Sequence, residues 1–154
     1  MELSKRLQGV INLMPKSHTI CDVGCDHGYV AITFLQKGIA EKVVAMDVNA
    51  GPLEQAKRNA ALFGVTEKLD FRLSDGLLKV TPGEAERFLC AGMGGRLMIN
   101  ILTQGKEIVS QMQQFVLQPQ SEIDEVRSFL RESGFVIDKE DMILEDGKYF
   151  SAFR

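Results

Sequence analysis

The stretch Cys21-Asp22-Val23-Gly24-Cys25-Asp26-His27-Gly28 decides the fold. The apolar run Thr19 to Val23 ends inside it, and glycines and acids take over. In an α/β fold this is how a first strand passes the chain to a first helix. Bare backbone at such a turn lets a ligand approach closely.

The same alternation continues on both sides. Upstream, Glu2 to Met14 carries Leu3, Leu7, Val10, Ile11 and Met14 at helical spacing, with Ser4 as a cap and Pro15 as the stop. Lys5 and Arg6 fall off that stripe and face solvent, as a solvated face or as a small basic edge for phosphates. Downstream, Tyr29 to Lys37 reads as a buried helix ended by Gly38. Lys42 to Met46 is a second strand, ending at Asp47. Asn49, Gly51 and Pro52 then open a helix to Phe63, with Leu53, Ala56, Ala60 and Phe63 as its core face and Gly64 as its stop.

Leu69 to Leu73 is a third strand, running into Ser74-Asp75-Gly76, and Thr81-Pro82-Gly83 is a turn. Arg87 to Ala91 is a fourth strand, followed by Gly92-Met93-Gly94-Gly95 and a helix from Arg96 to Leu102. Phe115 to Gln118 is a fifth strand, stopped by Pro119. Ser121-Glu122-Ile123-Asp124 has the form of a capping box, opening a helix that uses Ile123, Val126 and Leu130 and ends at Gly134. Phe135 to Leu144, Asp146-Gly147 and Lys148 to Phe153 read as a closing hairpin.

Strands alternating with helices predict a seven-stranded, mostly parallel sheet with helices on both faces and an antiparallel edge hairpin. The 154 residues, 45% hydrophobic, suit one domain with a real core. A net charge of -3 excludes a generally basic nucleic-acid binder and leaves room only for a local basic patch. Three cysteines, an odd number, with no visible secretory leader, lead us to expect free thiols in a reducing cytoplasm. No apolar run is long enough to span a bilayer.

In a parallel sheet the ligand sits beyond the carboxyl ends of the strands, near the switch in strand order. Gly24 to Gly28, Asp47, Asp75, Gly92 to Gly95 and Gln118-Pro119 all fall at such ends. A dinucleotide loop wants G-x-G-x-x-G, but from Gly24 the later glycine positions hold Asp26 and Tyr29. What stands instead is Asp22-x-Gly24-x-Asp26-x-Gly28, in which an acid repels a pyrophosphate and suits a cationic amine. Asp47 lies about twenty residues on, where a carboxylate accepts both hydroxyls of a ribose. Asp75-Gly76 suits an adenine edge. The glycines of Gly92-Met93-Gly94-Gly95 clear space beside a sulfonium and let a flat base approach, while Met93 reads equally well as core filling. A ribose site and an ammonium site without a phosphate cradle fit S-adenosylmethionine. Taken singly, Asp47 and Asp75 are equally well read as turn or cap carboxylates. His18, Cys21, Cys25, His27 and Cys90 form no metal-ligand spacing, so no metal is expected. A Cys25–His27 nucleophile pair would need contact that spacing alone does not give.

Together these residues resemble the bacterial tRNA (adenine-N1)-methyltransferases that modify adenine 22 of tRNA. The resemblance runs from Leu3 to the chain end. It rests on Leu3-Ser4-Lys5-Arg6-Leu7, Gly24-Cys25-Asp26-His27-Gly28-Tyr29, Gly51-Pro52, Ala56-Lys57-Arg58, Asp75-Gly76, Ala91-Gly92-Met93-Gly94-Gly95, Leu117-Gln118-Pro119 and Glu145-Asp146-Gly147-Lys148. The chain departs from the family's usual serine at Cys25, apolar-Pro pair at Val30-Ala31, glutamate at Asp47 and asparagine at Gln120. It also stops at Arg154, so the helical extension that follows the family's catalytic domain is expected to be missing from this one-domain chain.

The resemblance implies a Rossmann-like class I methyltransferase fold and a cofactor set of Asp22, Gly24, Cys25, Asp26, Gly28, Asp47, Val48, Asp75, Gly76, Gly92 and Gly94. It places Asp26 at the methionine moiety, Asp47 on the ribose and Asp75 on the adenine. His27, Tyr29, Met93 and Gln118 would form the catalytic surround of the target base. The substrate would be tRNA, with Lys5, Arg6, Lys57 and Arg58 on its phosphates. The alternatives are methylation of a small molecule or protein, an S-adenosylmethionine-binding domain with weak or lost activity for want of the helical extension, and an NAD oxidoreductase, which the missing third glycine disfavours.

Overall fold

The computed structural model describes residues 2–154. It contains helices α1 (Lys5–Leu13), α2 (Tyr29–Gln36), α3 (Ala50–Leu62), α4 (Gly95–Gln104), α5 (Lys106–Ser110) and α6 (Ile123–Glu132). The strands are β1 (Ser17–Val23), β2 (Ala40–Asp47), β3 (Leu69–Leu73), β4 (Arg87–Met93), β5 (Gln114–Pro119), β6 (Glu140–Glu145) and β7 (Lys148–Phe153). They form one seven-stranded sheet in the order β3-β2-β1-β4-β5-β7-β6. The first five strands are parallel, and β7 inserts antiparallel between β5 and β6. The strand order reverses between β1 and β4, which puts a crevice beyond the ends of both.

Strand alternation divides the core in two. Ile20, Val43, Ala45, Leu89 and Val116 face α1, α2 and α3. Cys21, Val44, Met46, Phe88, Cys90 and Leu117 face α4, α5 and α6. By the same parity, Asp22 and Gln118 point to the α1 side. This parity matters for the site.

The expected elements are all present, and β1, β2, β4 and β5 run longer than their apolar runs alone suggest, because hydrogen bonding continues into the flanks. The end of α1 is set before Pro15: Met14 is already extended, as a residue preceding proline must be. Ser4 caps α1, accepting from the Leu7 amide at 3.2 Å.

Five local expectations need correction. Arg6 does not face solvent. It is half-buried, at i, i+4, i+7 with the buried Val10 and Leu13, and its Nη1 donates to Gln118 Oε1 at 2.7 Å. Phe63 is 36% exposed; its place on the core face of α3 is taken by Asn59, 5% exposed. The capping box does not form. Glu122 has φ 47 and makes no side-chain cap for α6. Instead its Oε1 accepts from the Arg96 amide at 3.2 Å, so it serves the start of α4. The strand expected from Phe135 begins only at Glu140, although Asp138 and Lys139 already exchange backbone hydrogen bonds with Arg154; Phe135 itself packs edge-on against Phe115, 5.0 Å between ring centroids. Finally, α5 is an extra short helix that follows Gly105.

Candidate active site

The carboxyl ends of β1, β2, β3 and β4 surround a cavity of about 370 Å³. Asp22, Gly24, Cys25, Asp26, His27 and Tyr29 reach it from the β1 turn, Asp47 and Val48 from β2, Asp75 and Gly76 from β3, and Gly92 and Met93 from β4. Three expected members lie outside its lining. Gly28 starts α2 at φ 82, where a Cβ would sit 2.9 Å from the Ala56 Cβ, so it lets α2 pack on α3. That is the packing duty of the third glycine of a dinucleotide loop, carried out one residue early. Gly94 caps α4. Gln118 is fully buried behind the wall of the site.

Sequence reasoning missed other lining groups. Arg6 and Leu7 come from α1, Asn49 and Ser74 from strand exits, and Leu97 and Ile101 from α4. The signal for Arg6 was its helical phase with Val10 and Leu13. Leu97, 48% exposed at the start of α4, has no signal beyond its place after the glycines.

The carboxylates occupy three different environments. Asp22 is 4% exposed, and its Oδ2 has no hydrogen-bond partner. Burial, reinforced by the nearby charges of Asp47 and Asp26, pushes its carboxyl up to about 7. Asp47 is held by backbone: Oδ2 accepts from the Asp26 amide at 3.1 Å and Oδ1 from the Asn49 amide at 2.9 Å. Each oxygen keeps lone-pair capacity for a further donor. Asp26, by contrast, has a side chain 73% exposed, at φ 51, with only His27 Nε2 at 3.7 Å.

At the mouth, the rings of His27 and Tyr29 are 6.3 Å apart and tilted by 53°. Asn59 fixes the turn from beneath, donating to the His27 carbonyl at 2.9 Å. The three thiols are buried and unpaired. Burial raises Cys21 and Cys90 to about 12 and Cys25 further still, so none offers a thiolate. Among the described residues, no group of three His, Cys, Asp or Glu could hold a metal ion, and no helix is long and apolar enough to cross a membrane.

A methyltransferase-domain family model matches residues 3–153. The chain belongs to the methyltransferase-domain family. The Bacillus subtilis tRNA (adenine(22)-N(1))-methyltransferase is 32% identical over 97% of this chain and 63% of its own length. The Streptococcus pneumoniae protein Sp1610 in complex with S-adenosyl-L-methionine superposes with a TM-score of 0.94 at 32% identity, over 99% of this chain and 72% of that one. Mycoplasma capricolum TrmK in complex with S-adenosyl-homocysteine gives 0.86 at 26% identity, over 99% of this chain and 68% of that one. The family resemblance drawn from the motifs therefore holds along the whole chain. The chain spans about two thirds of the length of these relatives.

Proposed function

We propose that this chain is an S-adenosylmethionine-dependent methyltransferase acting on N1 of adenine 22 in tRNA. The carrying observation is Asp22 Oδ2, a buried carboxylate oxygen without a partner in the same cavity as the amide-held Asp47. An orphaned buried acid calls for a cation, and an amide-held acid with spare lone pairs calls for hydroxyls. The cofactor carries both, as an ammonium and a ribose. Asp22 is therefore the residue for the ammonium, in place of the exposed Asp26. Asp47 takes the ribose, and Asp75 with Gly76 the adenine edge. When bound, the group supplies a methyl on a cationic sulfonium.

The chain's own task is alignment. Adenine N1 already has a lone pair, so no side chain need remove a proton, and the protonated thiols fit a direct transfer. The target base must leave its stack to enter. His27, Tyr29, Met93 and Leu97 form the wall it would meet, by stacking or hydrogen bonding. Gln118 acts on the base only through the groups it positions. Lys5, Lys57 and Arg58 remain the surface candidates for phosphates. Lys57 is shared with Glu54 at 3.0 Å and Arg58 with Gln55 at 2.8 Å, and each keeps further donors for a phosphate.

The test is incubation with labelled S-adenosylmethionine and unmodified tRNA, followed by digestion. Label in N1-methyladenosine at position 22 is expected. Label in a small molecule or protein instead would overturn the tRNA assignment. A thermal shift with NAD and none with S-adenosylmethionine would overturn the cofactor.

A further inference from the structure

Arg6 stands in the first turn of α1, where a cation opposes the helix dipole. The turn holds no acid of its own. The helix start is served from β6, where Glu145 Oε1 accepts from the Lys5 amide at 2.8 Å. The Arg6 charge is therefore not placed for the helix.

Arg6 lines the cavity. Nη1 donates to Gln118 Oε1 at 2.7 Å, and that same oxygen accepts from the Gly92 amide at 3.1 Å. The Gln118 Nε2 donates to the Pro119 carbonyl at 3.2 Å, so the buried amide cannot turn away. Gly92 has φ 77, and a Cβ there would come within 3.3 Å of Arg6 Nη1. Guanidinium, amide and the end of β4 thus fix one another. Only one of the five Arg6 donors is used in this way.

The remaining donors find no acid. Among the described residues, no carboxylate lies within 4.0 Å of Arg6; the same is true of Arg58, Arg87 and Arg131, but of these four only Arg6 lines the cavity. Asp22 is equally without an opposite charge. One cavity thus holds a fixed cation and a buried anion that do not neutralise each other. The complement of that pair is a zwitterion.

We propose that Arg6 binds the carboxylate of the cofactor's amino-acid portion while Asp22 holds its ammonium, so that helix α1 is part of the cofactor site. This rests on the methyl-donor reading above. A planar guanidinium matches a carboxylate with two parallel hydrogen bonds, which a lysine cannot reproduce. Holding it on Gln118 before the ligand arrives lowers the ordering cost of binding.

The test is calorimetry of the chain and its Arg6→Gln and Arg6→Lys variants, with S-adenosylhomocysteine and with decarboxylated S-adenosylmethionine, which keeps the amine and lacks the carboxylate. Arg6→Gln should weaken S-adenosylhomocysteine by about 10- to 100-fold and leave the decarboxylated ligand within about twofold, with Arg6→Lys between. Equal losses for both ligands would mean that the variant acts through the Gly92 turn, and the assignment would fall. Unchanged cofactor affinity with a raised KM for tRNA would give Arg6 to an RNA phosphate instead. If the unaltered chain binds neither ligand, the cofactor reading itself fails, a result distinct from either of these.

Discussion

Two charged clusters in this fold are built in opposite ways. On β3, Arg72 lies between Asp70, at 2.8 Å, and Glu84, and also donates to the Lys79 carbonyl at 2.7 Å. That pairing holds the Glu84 carboxyl down at about 2. At the exit of β1, Asp22 faces no cation and its carboxyl is pushed up to about 7. Charges that serve stability are matched within the chain. Charges left unmatched in a cavity are matched by something else, and the fold bears the cost until it arrives.

The largest test of that contrast is Asp22→Asn. An acid whose folded pKa is raised keeps a proton that the unfolded chain would release. Stability therefore falls as pH climbs from the ordinary carboxylate range to about 7, and levels off beyond. The shift from 3.8 to about 7 corresponds to at most about 4 kcal/mol above neutrality. Asp22→Asn should raise the unfolding free energy at pH 8 by part of that, less whatever the new amide loses for want of a partner. The same variant should lose about 100-fold or more in affinity for S-adenosylhomocysteine. Urea unfolding and calorimetry read the two effects separately. A variant that binds normally would remove Asp22 from the ligand.

Arg72→Ala is the mirror experiment. It leaves Asp70 and Glu84 without their cation, and we expect a loss of about 2–3 kcal/mol at pH 7 with cofactor affinity unchanged. The sign of its pH dependence is opposite to that of Asp22. A carboxyl held low contributes stability above its ordinary range and loses it as pH falls toward about 2. The variant should therefore converge on the unaltered chain in acid, as seen by denaturation across that range.

A smaller effect is the pH dependence of binding. Below about 7 Asp22 takes up a proton and stops attracting an ammonium. S-adenosylhomocysteine affinity should then fall by up to about tenfold per pH unit, with proton release on binding detectable in buffers of different ionisation enthalpy. Asp22→Asn should flatten that slope, and a slope that survives in the variant would assign it to another group.

Much of this contrast can be seen in the residues alone, and the part that cannot has a physical reason. Asp47 and Asp75 are visible because each follows a strand run, and Asp22 because it enters the glycine turn; parallel strands put these ends on one edge. Gly28 is visible as a glycine but not as a packing contact, since its need arises from Ala56 on another helix. Glu122 fits a capping pattern, yet its side chain is drawn to the start of α4, 26 residues back, by the turn that brings Ser121 and Gly95 together. Arg6 is the largest omission. An arginine near a helix start is ordinarily solvated, and only the buried partner Gln118, 112 residues away, shows where its charge goes. Local pattern reports strand ends and stops; it carries no record of which distant side chain completes a site.

The smallest expected effect is also the sharpest between two neighbouring acids. The spacing Asp22-x-Gly24-x-Asp26 makes either aspartate a candidate for the ammonium, and the expectation drawn from the motifs is Asp26. Geometry separates them: Asp22 is buried and unpartnered, while the Asp26 side chain is 73% exposed, and what Asp26 gives the site directly is its amide, donated to Asp47 at 3.1 Å. A charge in that much water is strongly screened and adds little to binding. Its φ of 51 is one that asparagine adopts readily, so Asp26→Asn keeps the turn and the amide while deleting the charge. We expect S-adenosylhomocysteine affinity to change by less than about threefold, with most of the change coming from the reduced repulsion on Asp22. Removing that neighbour should lower the Asp22 carboxyl slightly and move the midpoint of the binding profile toward acid. A loss as large as that of Asp22→Asn would instead place the ammonium at the exposed acid and leave the buried one as an unmatched charge of the fold.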